Sequence, residues 1–198
     1  MAGGSRGPND PQRRERILDA ALDVIAKHGA IKVTFRRIAE AAEVPLGSLT
    51  YYFDDMQDLL TSAFTRLAES VSSRYGALLA AARTPEEARE AVVEIICGKV
   101  WGTERNLLLS YELYAFAARN PEVREVMRSW MRASRESLAR HFNPLTARAL
   151  DALVEGFSIH NSVDPRPTDR AGVAAVVDAI ANRRAHSDGG STPAGWTV

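Results

Sequence analysis

The sequence predicts an all-α protein of about nine helices, with a small N-terminal domain followed by a larger helical domain. Strand signals are nearly absent, because no Asn-Gly or Asp-Gly turn joins alternating runs of β-branched residues. Apolar residues recur instead every three or four positions, as they do from Ile17 to Ile25. The breaks between these stripes repeat one helix-starting device, in which a capping side chain precedes a proline. Together these observations favour helices throughout the chain.

A capping residue stands before a proline at four positions: Asp10, Thr84, Asn120 and Asn143. Its side-chain oxygen can accept an unpaired backbone N–H, while proline lacks an N–H and suits the first helical position. Thr84 and Glu87 also have the spacing of a capping box. Gly29 is expected to end the first helix, and Thr168 is expected to cap the last one.

The predicted helices span residues 11–28, 34–41, 45–51, 55–82, 85–100, 103–119, 121–142, 144–162 and 168–184. Helix lengths change sharply near residue 54, where short helices give way to long ones. We therefore place one domain at residues 11–54 and a second at residues 55–185. Residues 1–10 and 186–198 are rich in Gly, Ser, Pro and Asp, so we expect a disordered arm and a disordered tail.

The composition excludes several classes of protein. The 198 residues carry 25 Lys and Arg against 25 Asp and Glu, which excludes a globally basic coat for nucleic acid but leaves a local basic patch open. The single cysteine, Cys97, excludes a disulfide framework within the chain and fits a reducing compartment. No apolar run reaches the roughly 18 residues of a membrane span, and residues 1–11 lack the apolar segment of a secretory signal. We expect a cytoplasmic protein with no membrane partner.

No pattern in the sequence indicates catalysis. There is no nucleophile elbow, no H-E-x-x-H and no glycine-rich phosphate loop, and Cys97 lies in an apolar helical run. The four histidines, at positions 28, 141, 160 and 186, are too scattered for metal-ligand spacing. We therefore expect no enzyme activity, no metal and no cofactor.

Residues 34–41 and 45–51 predict two short helices around a tight turn, which is the helix-turn-helix pattern. Small or uncharged residues occupy the outward positions of the second helix, where they suit close approach to base edges in a major groove. These residues are Leu46, Gly47, Ser48 and Thr50. Tyr51 and Tyr52 follow and can donate their hydroxyls to phosphates, while Arg36 lies at the start of the preceding helix.

The stretch from Arg14 to Leu60, RERILDAALDVIAKHGAIKVTFRRIAEAAEVPLGSLTYYFDDMQDLL, resembles the DNA-binding domain of the tetracycline-repressor (TetR) family. The matching marks are the end of the first helix in His28-Gly29, the segments 34–39 and 44–49, and the exit Tyr51-Tyr52-Phe53. The resemblance implies a helix-turn-helix DNA-binding domain of three helices, followed by a helical domain for ligand binding and dimerisation.

The family's roles transfer to matching positions of this chain. Thr34 and Tyr51 would contact phosphates, and Tyr52 would lie at the DNA backbone. Base edges would face Arg36, Leu46, Gly47 and Ser48. Phe53 would hold the exit of the motif in the core.

Three positions depart from the family pattern. Glu43 stands where the turn usually has a glycine, so we expect a mildly strained positive φ there. Thr50 replaces the first aromatic residue of the exit, which removes the side chain of one familiar backbone contact. Met56 replaces a common basic residue at the start of the fourth helix. We therefore expect one phosphate contact fewer and a flatter dependence of DNA binding on salt.

Residues 107–118 are apolar on nearly every face, which predicts a helix buried at the centre of the second domain. Aromatic residues gather in the surrounding helices, and the resemblance implies a small-molecule pocket among them. The predicted effector-binding residues are Trp101, Tyr111, Glu112, Tyr114, Trp130, Phe157, His160 and Asn161. The alternative is an ordinary core in which the buried polar groups are satisfied.

The last helix carries an apolar stripe among small residues, which permits close packing of helices. Paired with the helix over 144–162, it would form a four-helix interface across a two-fold axis. The predicted interface residues are Leu150, Val154, Val173, Val176, Val177 and Ile180. The alternative is that the stripe covers the chain's own core. The resemblance implies a homodimer whose two recognition helices lie about one DNA turn apart.

The sequence therefore predicts a ligand-responsive transcriptional regulator, most simply a homodimeric repressor that binds a palindromic operator in double-stranded DNA. An unknown small-molecule effector would release it by binding one of two conformers more tightly. Two alternatives stay open. One is a small-molecule-binding protein or enzyme with a vestigial DNA-binding domain, and the other is an activator or architectural DNA-binding protein without an effector.

Overall fold

The computed structural model describes residues 10–98 and 103–182, and within them the chain forms nine α-helices, one 3₁₀ turn and no strand. The predicted all-α fold is confirmed. The helices are α1 (Arg13–His28), α2 (Phe35–Ala41), α3 (Leu46–Tyr52), α4 (Met56–Ala81), α5 (Pro85–Cys97), α6 (Glu104–Ala117), α7 (Pro121–Leu138), α8 (Pro144–Val163) and α9 (Arg170–Ala181). The 3₁₀ turn, Ala30–Lys32, follows α1 and has no counterpart among the predicted elements.

Two of the predicted caps form as expected. The Thr84 hydroxyl accepts the N–H of Glu87 at 3.1 Å, and the Asn143 side chain accepts the N–H of Thr146 at 2.9 Å. Each bond satisfies a donor that a helix start leaves without a partner. In the predicted capping box the Glu87 side chain would accept the N–H of Thr84. It accepts instead the N–H of Arg83, one residue earlier.

Three other predicted caps are wrong. Asp10 does not cap α1, because the helix begins at Arg13 with Gln12 in the capping position, and the Asp10 carboxylate accepts the N–H of Gln12 at 3.0 Å. The Asn120 side chain does not cap α7, because its amide donates to the carbonyl of Phe116 at 2.9 Å in the preceding helix. Asp169, not Thr168, caps α9 by accepting the N–H of Gly172 at 2.8 Å. The last helix therefore begins two residues later than predicted. Predicted helix ends at residues 100 and 184 lie outside the described residues.

The first of two hydrophobic cores joins the helix-turn-helix to the helices that follow it. Its buried side chains from α1–α3 and the exit include Ile17, Ile25, Ile38, Leu49 and Phe53. Side chains of α4, α6 and α7 complete it, among them Phe64, Leu109, Leu113 and Met127. The N-terminal helices therefore share their core with the C-terminal part rather than enclosing one of their own.

The second core lies between the far end of α4 and helices α5, α7, α8 and α9. Its fully covered side chains include Leu79, Val92, Ile95 and Leu138. The 26 residues of α4 reach from one core to the other, since Leu60 and Phe64 belong to the first and Tyr75 and Leu79 to the second. Helix α4 is therefore packed in both cores and joins them.

The prediction that α6 is buried on all sides is wrong. Leu109 and Leu113 are fully covered, but Leu108 is 40% exposed and Ala115 is exposed. The helix therefore lies at the surface of the bundle with one face inward, because α1 and α7 cover only that face. Across the described residues, no helix combines the length and the apolar character that crossing a membrane requires.

Candidate DNA-binding face and ligand cavity

The turn between α2 and α3 has the geometry that the sequence predicts. Thr34 caps α2 by accepting the N–H of Arg37 at 3.3 Å. Glu43 adopts a φ of 53°, the left-handed conformation in which a side chain other than that of glycine is mildly strained. This tight turn directs the chain into α3 so that Leu49 and Phe53, each at most 1% exposed, lie in the first core.

The opposite face of α3 is open to solvent. Leu46 is 51% exposed and Tyr51 is 81% exposed. A Cβ placed on Gly47 would meet no atom within 4 Å. The Thr50 hydroxyl donates to the carbonyl of Gly47 at 3.2 Å within the helix. The face is therefore uncharged and has small residues at Gly47 and Thr50, so it can approach base edges closely.

The other predicted DNA-contacting residues flank this face. Arg36 is exposed on α2, while Ser48 is half-buried on α3. Tyr52 is half-buried and packs against the first core, and its ring meets the Tyr51 ring edge-on at 4.9 Å between centroids. Tyr51 is thereby held outward by a neighbour that the core fixes in place.

Ion pairs and one hydrogen bond tie α1 and the 3₁₀ turn to the C-terminal helices. The Arg66 guanidinium on α4 binds Asp19 through two hydrogen bonds of 2.7 and 2.9 Å, and it also pairs with Glu15. Arg105 on α6 pairs with Asp23 at 2.7 Å. These contacts lie at the surface, where each contributes little to stability, but they fix the relative orientation of three helices.

Glu112 on α6 contacts the 3₁₀ turn that lies between α1 and α2. Its carboxylate accepts the N–H of Ala30, the first residue of the 3₁₀ turn, at 2.9 Å. Gly29 makes room for it, because a Cβ at that position would lie 3.2 Å from Glu112 Oε1, and its φ of 78° suits glycine. Gly29 ends α1 as predicted. Glu112 was predicted to orient an effector, but the structure places it at the junction with the N-terminal helices.

A narrow cavity lies where α4, α6, α7 and α8 meet. Its lining residues are Val71, Tyr75, Tyr114, Met127, Trp130, Met131, Ser134, Asp151, Val154 and Glu155. The free volume is about 20 Å³, which has room for about one water molecule. Most of the lining is apolar or aromatic, with a few converging polar groups, as is typical of small-molecule sites. A larger ligand would enter only if the four helices moved apart.

Two carboxylates reach the cavity from α8, and their environments differ. Asp151 is 6% exposed and accepts hydrogen bonds from the Ser134 hydroxyl at 2.6 Å and from Arg135 Nε at 2.7 Å. Glu155 accepts a hydrogen bond from the Tyr114 hydroxyl. Burial raises the pKa of Glu155 above its ordinary value; Tyr114 opposes this shift, and the nearby Asp151 adds to it.

The Tyr75 hydroxyl is a further polar group in the cavity. It is buried and forms no hydrogen bond with any described residue, although the Ser134 hydroxyl lies beside it. Ser134 instead donates to Asp151. Burial raises the pKa of Tyr75 well above its usual range, so the phenol stays protonated. A buried hydroxyl without a partner is costly and uncommon in native proteins.

The predicted effector-binding residues separate into groups. Tyr114 and Trp130 line the cavity. Phe157 and Asn161 line a different, open groove of about 500 Å³ beside α5 and α6. Asn161 holds the loop before α9 there, since its side chain exchanges two hydrogen bonds with the backbone of Thr168.

The remaining members of that prediction lie elsewhere. The Tyr111 hydroxyl bonds to the Ser162 hydroxyl at 3.0 Å, and His160 is exposed. Trp101 lies outside the described residues. The structure therefore does not bring the eight residues together at one site.

Sequence reasoning missed most of the cavity. The residues it missed are Val71, Tyr75, Met127, Met131, Ser134, Asp151, Val154 and Glu155. One signal was present in the sequence, because the cavity side chains of α7 recur at three- and four-residue spacing from Met127 to Ser134. A second was the pair of acids at 151 and 155, four residues apart and therefore on one face of α8.

The predicted dimer residues are mostly covered by the chain itself. Leu150 and Val173 are fully buried in the second core, and Val154 and Val177 are also buried there. This matches the alternative that the stripe covers the chain's own core. Val176 is 37% exposed, and Ile180 is half-buried.

A different face of α8 is apolar and uncovered. Its residues alternate at spacings of four and three: Leu145, Ala149, Ala152, Gly156, Ile159 and Val163. Leu145 is 78% exposed and Val163 is 75% exposed, and a Cβ on Gly156 would meet nothing within 4 Å. Exposed Ala175, Val176 and Ala179 form a matching stripe on α9. Apolar residues at this spacing are typical of a seam between packed helices.

Two family models match the chain in the order of its helices. The model described as bacterial regulatory proteins of the tetR family matches residues 17–63, which include the helix-turn-helix. The model described as the tetracyclin repressor-like C-terminal domain matches residues 83–183, which include the cavity side chains of α6, α7 and α8.

Individual relatives extend the likeness over most of the chain. A candidate transcriptional regulator of known structure from Streptomyces coelicolor A3(2) is 44% identical, with a TM-score of 0.79 over 87% of this chain and 99% of that one. The multidrug binding protein EbrR, solved with ethidium, is 31% identical, with a TM-score of 0.71 over 85% of this chain and 98% of that one. The transcriptional regulator BetI of Agrobacterium fabrum is 28% identical over 85% of this chain and 86% of its own length.

Proposed function

We infer that this chain, which belongs to the tetracycline-repressor family of ligand-responsive DNA-binding transcriptional regulators, acts as a homodimeric repressor on a palindromic operator. The observation that carries the inference is the uncharged, solvent-facing side of α3, which is supported from behind by buried Leu49 and Phe53. A small-molecule effector that binds in the cavity between α4, α6, α7 and α8 releases the DNA.

The residues of the DNA-binding face divide by chemistry. Leu46, Gly47 and Ser48 face base edges, where small side chains permit close approach. Thr34, Tyr51 and Tyr52 contact phosphates, which position the motif without reading sequence. Arg36, exposed at the first turn of α2, reaches a base edge or a neighbouring phosphate. Thr50 contributes less than an aromatic residue would, because its hydroxyl already bonds to the Gly47 carbonyl.

The uncovered stripes of α8 and α9 form the dimer interface. Small residues at Ala152 and Gly156 permit the two copies of α8 to pack closely, and Ile159 and Val163 supply apolar area at one end. Paired with α9 of each copy, they build a four-helix bundle about a two-fold axis. That symmetry requires an operator with two related half-sites about one DNA turn apart.

Helix α6 couples the cavity to the helix-turn-helix. Tyr114 lines the cavity and donates to Glu155, and Glu112, two residues earlier, holds the N–H of Ala30. A ligand larger than one water molecule must widen the cavity, which displaces α6 relative to α8. The displacement pulls on Glu112 and changes the orientation of α1 and α2. The effector thereby favours a conformer whose two recognition helices no longer match the operator.

Selection from a random pool of double-stranded DNA tests the DNA-binding half of this proposal. We expect the purified protein to enrich a site with two-fold symmetry. Tyr51→Phe should weaken binding to that site, because it removes one exposed hydroxyl. Tyr111→Phe removes a hydroxyl from the C-terminal part and serves as the matched control. A site without symmetry, or equal binding by both variants, contradicts the proposal.

The dimer is tested separately at Gly156. In a single chain a Cβ there meets no atom within 4 Å, and leucine forms helix better than glycine does, so we expect Gly156→Leu to fold. In the proposed bundle the same side chain would separate the two copies of α8. We expect Gly156→Leu to sediment as a monomer, whereas Ala80→Leu, at an exposed position of α4, should remain a dimer. Equal dimerisation of both variants would place the interface on another face.

A further inference from the structure

The charges around the cavity are not balanced. The guanidinium of Arg135 and the hydroxyl of Ser134 compensate Asp151. The groups that act on Glu155 are Tyr114 from α6, Asp151 on its own helix and Arg135 from α7. Of these, only Arg135 is a cation, and it is already bonded to Asp151. The ionised cavity therefore holds one negative charge, at Glu155, that no described cation pairs with.

A half-buried carboxylate in this position is unfavourable unless a positive charge meets it. Ionised groups that leave water without a partner either take up a proton or bind a counter-charge. The neutral Tyr114 hydroxyl stabilises the Glu155 carboxylate only in part, because it supplies a dipole and no charge. An incoming cation would therefore gain more from Glu155 than Tyr114 does.

The walls of the cavity suit the apolar part of such a ligand. Trp130 and Tyr114 present aromatic rings, and Met127, Met131 and Val71 present flexible or branched apolar side chains. Aromatic faces attract an organic cation that has left water, and methionines adapt to its shape. A strongly hydrated inorganic cation would gain nothing from these walls.

The unpartnered Tyr75 hydroxyl is an independent sign that the cavity accepts a ligand. It lines the same cavity, it is buried, and it forms no hydrogen bond within the described chain. Buried hydroxyls in native proteins are almost always satisfied by protein, water or ligand. A polar atom of the ligand, or a water brought in beside it, would supply the missing partner.

We propose that the effector is a singly charged organic cation with an apolar or aromatic body, and that Glu155 is the residue that meets its charge. The proposal rests on the proposed function for the location of the effector site, and it adds the chemical class of the ligand. Binding replaces the hydrogen bond from Tyr114 to Glu155 with an ion pair. Tyr114 is then free to move with α6, which is the movement that the proposed release of DNA requires.

Isothermal titration calorimetry of the full-length protein with matched probes tests this proposal without DNA. The cations are benzyltrimethylammonium and methyltriphenylphosphonium, and their uncharged counterparts are neopentylbenzene and triphenylphosphine oxide. We expect the better cation to bind at least tenfold more tightly than its neutral counterpart. Glu155→Gln should remove that preference and leave the neutral probes within about twofold. Glu136→Gln, on the exposed face of α7, should change neither affinity.

The pH dependence gives a second readout. The cation binds the ionised carboxylate, so its affinity should fall as pH decreases through the pKa of Glu155. Because burial raises that pKa, the loss should begin at a higher pH than for an ordinary glutamate. In Glu155→Gln the affinity should be flat over the same range. Tyr114→Phe removes the competing donor and should tighten cation binding, which keeps the proposal testable if Glu155→Gln folds poorly.

Failure of this proposal can be told apart from failure of the proposed function. If neither cation binds the wild-type protein, or if both bind it and Glu155→Gln equally, the cation proposal is wrong. Release of operator DNA is measured separately, by fluorescence anisotropy. A cation that binds through Glu155 and leaves the operator bound would contradict the proposed release mechanism and leave the ligand class standing.

Discussion

The hydrogen bond from Ala30 to Glu112 allows a quantitative test of the coupling between the two parts of the chain. The carboxylate oxygen lies 2.9 Å from the backbone nitrogen of Ala30. Hydrogen bonds to charged groups contribute about 1.5–3 kcal/mol, and we take the lower end because Glu112 is only half-buried. The proposed homodimer would contain two such bonds, so about 3 kcal/mol would favour the observed orientation of its two helix-turn-helix units.

Glu112→Ala removes the carboxylate acceptor from both copies of the chain, so that the N–H of Ala30 bonds to water instead. If half of this free energy is expressed in operator binding, the loss of about 1.5 kcal/mol raises the operator Kd about tenfold. Glu112→Gln retains a carbonyl oxygen that can accept the same N–H without the charge, and it should raise the Kd only about twofold to threefold. Fluorescence anisotropy with the selected operator measures all three proteins at one salt concentration.

The order of the three affinities decides the outcome. Wild type should bind most tightly, Glu112→Gln should be intermediate, and Glu112→Ala should be weakest. Circular dichroism must show that both variants remain folded at the assay temperature. If Glu112→Ala binds the operator within twofold of wild type, the bond does not set the position of the helix-turn-helix, and the coupling through α6 is wrong.

Three further outcomes follow from single side chains. Tyr51→Phe should raise the operator Kd about thirtyfold, because the proposed homodimer loses two phosphate hydrogen bonds at about 1 kcal/mol each. An unchanged Kd would remove Tyr51 from the DNA contacts. Met56→Lys should steepen the dependence of the logarithm of the operator-binding constant on the logarithm of the salt concentration by about 0.9 for each new phosphate contact. A slope unchanged across 50–200 mM salt would mean that Met56 does not account for a lost phosphate contact. Asp151→Ala should lower Tm by about 5–10 °C in differential scanning calorimetry, because it removes the acceptor of Ser134 and Arg135 at a cost of about 2–3 kcal/mol. A shift below about 2 °C would mean that the hydrogen bonds to Asp151 do not stabilise the fold.

The sequence predicts most of the helices because their starts are encoded locally. Thr84 and Asn143 cap the helices they precede, and a tight turn around Glu43 follows from the spacing of the flanking helices. The prediction fails at Asn120 because a carbonyl of the preceding helix lies within reach of its amide. The choice between two bonds that are both possible locally depends on how the helices approach each other, which is a tertiary property.

The predicted dimer-interface residues lie mostly in the chain's own core, for a different reason. Helix α8 is apolar on two faces, and periodicity alone does not say which face enters the chain's own core. The larger side chains, Leu150 and Val154, are buried, whereas the stripe containing Ala152 and Gly156 stays uncovered. Burial of large apolar side chains yields more free energy than burial of alanine or glycine, so the core takes the former. Size separates the two faces in the middle of α8 alone, because Leu145, Ile159 and Val163 at the ends of the uncovered stripe are large and exposed.

The cavity could not be assembled from the sequence because its members come from four helices and its volume depends on how they pack. A search for aromatic residues finds Tyr114 and Trp130 but also collects Phe157, which lines another groove. The acids were the more specific signal. A half-buried carboxylate such as that of Glu155 requires a partner inside the protein. For Asp151 that partner is Arg135, whereas among the described residues Glu155 receives a hydrogen bond only from a hydroxyl.

Helix α6 both lines the cavity and contacts the N-terminal helices, and this arrangement limits the kind of ligand that can change operator binding. A ligand that only filled the existing 20 Å³ would leave α6 where it is and would not change operator binding. A ligand that also binds Glu155 must displace the Tyr114 hydroxyl, and Tyr114 and Glu112 belong to the same turn of α6. A ligand shifts an equilibrium only through its different affinity for the two conformers. Release of DNA therefore requires that the conformer with the widened cavity bind the ligand more tightly than the other conformer does. The lost Tyr114 bond works against that conformer, so the new interaction at Glu155 must exceed it, and a full positive charge satisfies this condition where a neutral hydrogen-bond donor does not.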